Sequence, residues 1–175
     1  MHIELSSESS NQTVEIGRQL GHLLLQQLRG DSLDAGEGAF VIALSGELGA
    51  GKTTLTQGIA EGMGVSGPVT SPTFTLVNEY PLVDGALIHM DSYRLGESAD
   101  AAMLEADTLG IDDLLDTEHA VLIIEWAERL RELLPTDTLF VTLCYDRASA
   151  NGRTLHFQAA GPHSQHLLHR LNAAP

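Results

Sequence analysis

The sequence predicts an α/β fold of three layers, with a mostly parallel sheet and a C-terminal antiparallel β pair. Three observations lead there. The apolar runs Ala39–Ser45 and Ala120–Ile124 have strand length and suit strands covered on both faces. Segments with apolar residues spaced by three and four alternate with them, as helices facing a core require. Two late segments, 139–145 and 153–158, flank a polar loop at 146–152, as an antiparallel pair does. With 175 residues, the chain is expected to form one domain, 1–175.

The elements follow in order. His2–Leu5 alternates and reads as a short edge strand. Ser9–Asn11 reads as a cap for a helix over Thr13–Arg29, where Ile16, Leu20, Leu23, Leu24 and Leu28 recur on one face. A loop spans 30–38. The strand Ala39–Ser45 runs into Gly46–Thr54 and then a helix to about Glu61, stopped by Gly62 and Gly64. Strands are expected at 74–80 and at Ala86–Met90. Between Glu97 and Glu118 lie eight acids and no Lys or Arg, with Leu104, Leu109, Ile111, Leu114 and Leu115 between them. That stretch predicts helical pieces with a solvated acidic face. Ala120–Ile124 is a buried strand, followed by a helix over Ala127–Leu134 that Pro135 ends. His163–Leu171 predicts a frayed, solvated helix, so the three-residue spacing of His163, His166 and His169 is not taken as a metal site. Cys144 is expected to be a small buried hydrophobe, and His89 a packed or hydrogen-bonded core residue.

Composition narrows the function. The formal net charge is −15 and the pI about 4.6, which argues against a free-standing nucleic-acid binder. One cysteine excludes an intrachain disulfide and suits a reducing compartment. The N-terminus lacks the features of a secretory signal, and no apolar run approaches the length of a membrane span. A cytoplasmic protein without membrane contact is expected. The nine basic residues are eight Arg and a single lysine, Lys52.

That lysine stands in a motif. Gly46-Glu-Leu-Gly-Ala-Gly-Lys-Thr53 fits G-x-x-x-x-G-K-[ST] at every fixed position. Gly46, Gly49 and Gly51 let the backbone fold so that successive N–H groups converge on phosphate oxygens. The helix that starts near Lys52 adds its positive dipole end. Lys52 is placed to reach the outer phosphates, and the Thr53 hydroxyl to ligate Mg²⁺. An apolar strand before and a helix after complete the context and specify the P-loop NTPase form of the predicted fold.

A phosphate loop of this kind works with an acid at the end of a neighbouring strand. Two segments supply one: Val121–Ile124 leads into Glu125, and Leu87–Met90 leads into Asp91. In a parallel sheet both carboxylates emerge at the edge where ligands bind. A third segment, Val69–Thr75, gathers hydroxyls around Pro72, as nucleotide switch loops do.

Together these segments resemble the bacterial TsaE family of small P-loop ATPases, formerly called YjeE. The likeness rests on four motifs in order: Ser45–Thr54, Ser71–Val77 with Tyr80, His89-Met-Asp-Ser-Tyr-Arg94, and Ile124-Glu-Trp126. It spans about residues 10 to 158. The resemblance implies ATP and Mg²⁺ as ligands. It also implies an ATPase step serving the partner proteins TsaB and TsaD, which make threonylcarbamoyladenosine next to the anticodon of tRNA. By motif matching, Gly49, Ala50, Gly51, Lys52, Thr53 and Thr54 would bind the triphosphate, and Thr53 with Glu125 would hold Mg²⁺. Thr73 would stand closest to the reacting phosphate. Asp91 would either orient the attacking water or belong to the metal shell. Trp126 would pack near the nucleotide, Thr13 would lie near adenine, and Arg153 would approach from the terminal β pair. The −15 charge makes contact with tRNA indirect, through the partners. The length and acidity of 97–118 depart from the family pattern.

Two other functions compete on the same motifs. A small-molecule kinase needs an acceptor pocket and an Arg-bearing lid; Arg129 and Arg131 could serve, but no Arg-rich lid of sufficient length is visible. A non-catalytic switch would bind nucleotide and change a partner's shape. No guanine-selecting N-K-x-D occurs, so ATP is expected over GTP.

Overall fold

The structure, a computed structural model, describes residues 1–30, 38–95, 104–105, 107–146, 149 and 151–173. Most of the loop expected at 30–38, the first part of the acidic segment (97–103 and 106), and 147, 148 and 150 of the polar loop lie outside the described residues. The elements are β1 (His2–Ser7), α1 (Ser10–Arg29), β2 (Phe40–Ser45), α2 (Lys52–Met63), β3 (Val77–Leu82), β4 (Gly85–Asp91), α3 (Ile111–Leu115), β5 (Ala120–Glu125), a 3-10 turn (Ala127–Arg129), β6 (Leu139–Tyr145), β7 (Arg153–Ala159) and α4 (Pro162–Ala173).

Seven strands form one mixed sheet in the order β1-β7-β6-β2-β5-β4-β3. The expectation of a mostly parallel sheet needs correction. Only the centre, β6-β2-β5-β4, is parallel; β1–β7, β7–β6 and β4–β3 pair antiparallel. The cause on one edge is the short link from Leu82 to Gly85, which allows only a hairpin between β3 and β4. Side-chain alternation sorts the strands between two cores. Ile42, Leu44, Leu87, Val121, Ile123, Val141 and Leu143 pack with Leu20 and Leu24 of α1, Leu55 and Ile59 of α2 and Leu167 of α4. Val41, Ala43, Ile88, Met90, Leu122 and Ile124 meet Leu95, Ile111 and Leu130 on the opposite face.

Helix α1 starts at Ser10, ahead of the expected Thr13, because the Ser9 side chain accepts from Gln12 N at 3.3 Å and caps it there. Gly62 does not stop α2; the helix ends at Gly64, whose φ of 82° makes the left-handed cap. Gly62 instead belongs to a seam where α1 and α2 nearly touch. A Cβ at Gly17 would lie 2.5 Å from the Leu55 carbonyl oxygen, and one at Gly21, Gly58 or Gly62 would meet the carbonyl of Ile59, Val14 or Arg18 closer still.

Four other expectations also shift. The strand foreseen at 74–80 begins only at Val77, because Leu76 N donates to Pro72 O at 2.6 Å and closes a turn, with Leu76 at φ 66°. The helix foreseen over Ala127–Leu134 is a 3-10 turn over Ala127–Arg129, with i to i+3 bonds onward from Leu130 to Leu133. The C-terminal helix is docked rather than frayed. Leu167, Leu168 and Leu171 are buried, and the Asp137 carboxylate accepts from His163 N at 2.7 Å and Ser164 N at 2.9 Å. Cys144 is exposed, since β6 turns Leu139, Val141 and Leu143 toward one core while Thr142 and Cys144 on the other face lie beyond the second core that Phe140 packs against. No helix among the described residues is long and apolar enough to cross a membrane.

Candidate functional site

The site lies at the C-terminal ends of the parallel strands. Strand β2 ends at Ser45, and the chain turns sharply at Gly46, whose φ is 137°. A Cβ there would strike the Leu143 carbonyl of neighbouring β6, so only glycine fits. Gly51, at φ 105°, is the N-cap of α2 and offers no capping side chain. The first amides of α2 therefore face the loop without an internal acceptor, as an anion-binding helix start requires.

The terminal β pair braces this loop from outside. Tyr145 Oη donates to Leu48 O at 2.7 Å. Arg153 Nε donates to Ala50 O at 3.1 Å and its Nη2 to Gly49 O at 3.4 Å. The Arg153 guanidinium also lies over the Tyr145 ring, 4.3 Å from its centroid. Thus Arg153 meets Gly49 and Ala50 through their carbonyls. Sequence reasoning missed Tyr145; its place at the end of an inward-outward strand facing the loop was the available signal.

Lys52 is buried at the floor. Its Nζ donates to Gly46 O at 2.7 Å and Glu47 O at 3.0 Å, and it sits 3.6 Å from the centroid of the Trp126 ring. Burial holds its pKa below the ordinary lysine value, while Glu125, Glu128 and Asp91 pull it back up. Trp126 reaches this position because it adopts φ 61° directly after β5. Ser92 Oγ pins that bend by donating to Glu125 O at 3.0 Å and Trp126 O at 2.8 Å. Tyr93 stacks against Trp126 at 4.9 Å and a tilt of 46°.

Both predicted acids arrive as neighbours. Asp91 and Glu125 are register partners across β4 and β5. Glu125 accepts from the Thr53 hydroxyl at 2.9 and 3.1 Å and contacts His89 Nε2 at 2.9 Å. Asp91 Oδ2 accepts from Ser71 Oγ at 3.0 Å and Thr73 Oγ1 at 2.6 Å, and its Oδ1 accepts from Tyr93 N at 2.9 Å. The hydroxyl loop is thereby tied to the second acid. Gly49, Gly51, Lys52, Thr53, Thr54, Thr73, Asp91, Glu125 and Trp126 all line one cleft of about 290 Å³. Thr13 does not reach it. It is buried, 2.8 Å from Ser7 Oγ, and lines a smaller hollow of about 40 Å³ with Gly51, Thr54 and Arg153.

Comparison with known proteins agrees with the motifs. The family model of the threonylcarbamoyl adenosine biosynthesis protein TsaE matches residues 7–155. The tRNA threonylcarbamoyladenosine biosynthesis protein TsaE of Bacillus subtilis is 39% identical over 134 residues, 75% of this chain and 77% of its own. The protein of the same name from Streptomyces coelicolor is 43% identical over 133 residues, 75% and 79% of the two chains. The one from Mycobacterium tuberculosis is 44% identical over 135 residues, 75% and 77%. The crystal structure of Bacillus subtilis YdiB superposes with a TM-score of 0.73 at 27% identity, covering 99% of this chain and 95% of that one. A family model matched over residues 7–155 and relatives about 40% identical across three quarters of the chain make this chain a member of the TsaE family.

Proposed function

We propose that the chain is a P-loop ATPase that binds and hydrolyses MgATP in support of TsaB and TsaD during threonylcarbamoyladenosine modification of tRNA next to the anticodon, in the cytoplasm. The observation that carries this reading is the meeting of Thr53, Glu125 and Asp91 in one cleft with Lys52 and the glycine loop. The donor set fits magnesium, which favours oxygen ligands and is usually held by one or two carboxylates together with substrate phosphates. Thr53 and Glu125 would hold it, with Asp91 beside them. When bound, the ion would neutralise charge on the outer phosphates.

The chain's own groups divide the rest of the work. Amides of Gly49 to Thr54 would cradle the phosphates. Lys52 would leave the carbonyls of Gly46 and Glu47 and donate to phosphate oxygens. Trp126 would pack near the nucleotide, and Thr13 would lie near adenine with Arg153 beside it in the smaller hollow. Asp91 would either orient the attacking water or belong to the metal shell, and Thr73 would stand closest to the γ-phosphate. In the net reaction, the water oxygen bonds to the γ-phosphorus. The bond to the β–γ bridging oxygen breaks, and a proton is released with ADP and phosphate. The −15 charge favours leaving tRNA contact to the partners.

The test is ATP turnover and modified-tRNA yield with TsaB and TsaD present, for wild type and Lys52→Ala. Loss of both in the variant supports the reading. Unchanged yield in Lys52→Ala overturns it, and a phosphorylated small-molecule acceptor in place of free phosphate would point to a kinase.

A further inference from the structure

We infer that His89 is a positioning residue for Glu125: its Nε2–H fixes the carboxylate so that the remaining acceptor capacity faces Thr53 and the cleft. The inference rests on the MgATP reading above. Alternation along β4 places Leu87, His89 and Asp91 on one face, and along β5 it places Val121, Ile123 and Glu125 on the same face. His89 thus sits one step below the acids, opposite Ile123 and above the Leu87–Val121 pair, on an otherwise apolar stretch of that face. A polar ring in an apolar layer is unfavourable unless it is used.

It is used once. His89 is 0% exposed and Glu125 3%. His89 Nε2 stands 2.9 Å from Glu125 Oε1, while His89 Nδ1 is buried with no hydrogen-bond partner among the described residues. An ionised carboxylate can only accept, so the proton of this contact belongs to Nε2. A bare lone pair on Nδ1 costs less than a second, unpaired N–H would. The ring is therefore the Nε2–H tautomer. Glu125 then receives one hydrogen bond from below and the Thr53 hydroxyl from the side, at 2.9 and 3.1 Å. Two donors from different elements hold one rotamer, and Glu125 lines the cleft whereas His89 does not. This is the arrangement in which a partner behind a ligand sets the ligand's direction.

The full-length chain tests this with His89→Leu, which removes the donor, and His89→Gln, which keeps a neutral N–H near the Nε2 position. One measurement is the Mg²⁺ concentration that half-saturates binding of a fluorescent ATP analogue. The other is the ring-nitrogen NMR pattern of His89 without nucleotide, assigned by its loss in His89→Gln. We expect His89→Leu to raise the Mg²⁺ requirement by about 10- to 100-fold, His89→Gln to restore most of it, and the wild-type ring to carry its proton on Nε2. A folded His89→Leu with an unchanged requirement, beside a wild type that shows one, overturns this inference alone. So does a ring protonated on Nδ1 only, which decides the matter even if His89→Leu does not fold. A wild type with no Mg²⁺-dependent nucleotide binding overturns the MgATP reading, and this inference with it.

Discussion

The Thr53 hydroxyl donates to both carboxylate oxygens of Glu125, at 2.9 and 3.1 Å, across 72 residues of sequence. The second residue of a helix and the last residue of a neighbouring strand thus form one donor group. Glu125→Gln keeps the shape and the Thr53 contact but removes the negative charge. It is expected to lower Mg²⁺-dependent ATP turnover by about 100-fold or more, measured with TsaB and TsaD present. Glu125→Ala is expected to lose stability as well, by about 1–3 kcal/mol, because His89 Nε2–H is left unpaired in the interior. Chemical denaturation separates the two effects.

Lys52 links function to pH-dependent stability. Burial depresses its folded pKa below the ordinary value of 10.5, so the folded state binds fewer protons than the unfolded state between those two values. Stability conferred at this site is least below the folded pKa and rises as pH increases toward 10.5. Lys52→Met removes this dependence. Unfolding free energies of the two proteins from pH 7 upward are expected to show wild type gaining on Lys52→Met as pH rises. Nucleotide affinity is lost in the variant throughout.

Asp137 works in the opposite direction. Burial opposes its ionisation, but hydrogen bonds from Ser164, its backbone included, and from the His163 backbone, with the nearby His163 charge, hold its pKa below 3.8. Its contribution is full above 3.8 and is lost as pH falls through the folded value. Asp137→Ala removes the cap of α4 and is expected to cost about 1–2 kcal/mol at pH 7. The gap between the two proteins should narrow in acid, as urea titrations at pH 7 and pH 3 would show.

The glycine seam gives a prediction whose sign decides it. In an open helix, Gly→Ala stabilises by about 1 kcal/mol. At Gly58 the added methyl meets the Val14 carbonyl, so Gly58→Ala is expected to destabilise by about 1–3 kcal/mol through forced separation of α1 and α2. A thermal melt that moves upward would contradict the close approach.

The sequence made the bend of the glycine loop and the strand-end placement of both acids legible because each signal is local. Glycine spacing encodes backbone shape, and an acid that ends an apolar run encodes its place at a sheet edge. Edge pairings were less legible, since a four- to seven-residue apolar stretch does not state its neighbour's direction; the β6–β7 pair was foreseen from its polar loop, but the antiparallel β1–β7 and β3–β4 pairings were not. The reading of Gly62 as a helix stop failed because close packing and termination use the same residue type. Likewise, the His89–Glu125 contact joins positions 36 apart, and the Arg153–Ala50 brace joins positions 103 apart. Such contacts exist only once the strands are in order. Cys144 was misread because an apolar strand can face the core on one side alone.

The register of Asp91 opposite Glu125 has a further consequence. Strand β4 has neighbours on both sides, β3 and β5, and β5 lies between β4 and β2. Backbone amides in such interior ladders exchange with solvent only in rare, large openings. Ser71 and Thr73 sit in a turn outside any ladder and reach the site through side-chain bonds to Asp91. The acids and the hydroxyls that meet them therefore keep different clocks: hydrogen exchange should find the backbone amides of Asp91 and Glu125 among the slowest in the chain and those of Ser71 and Thr73 among the fastest.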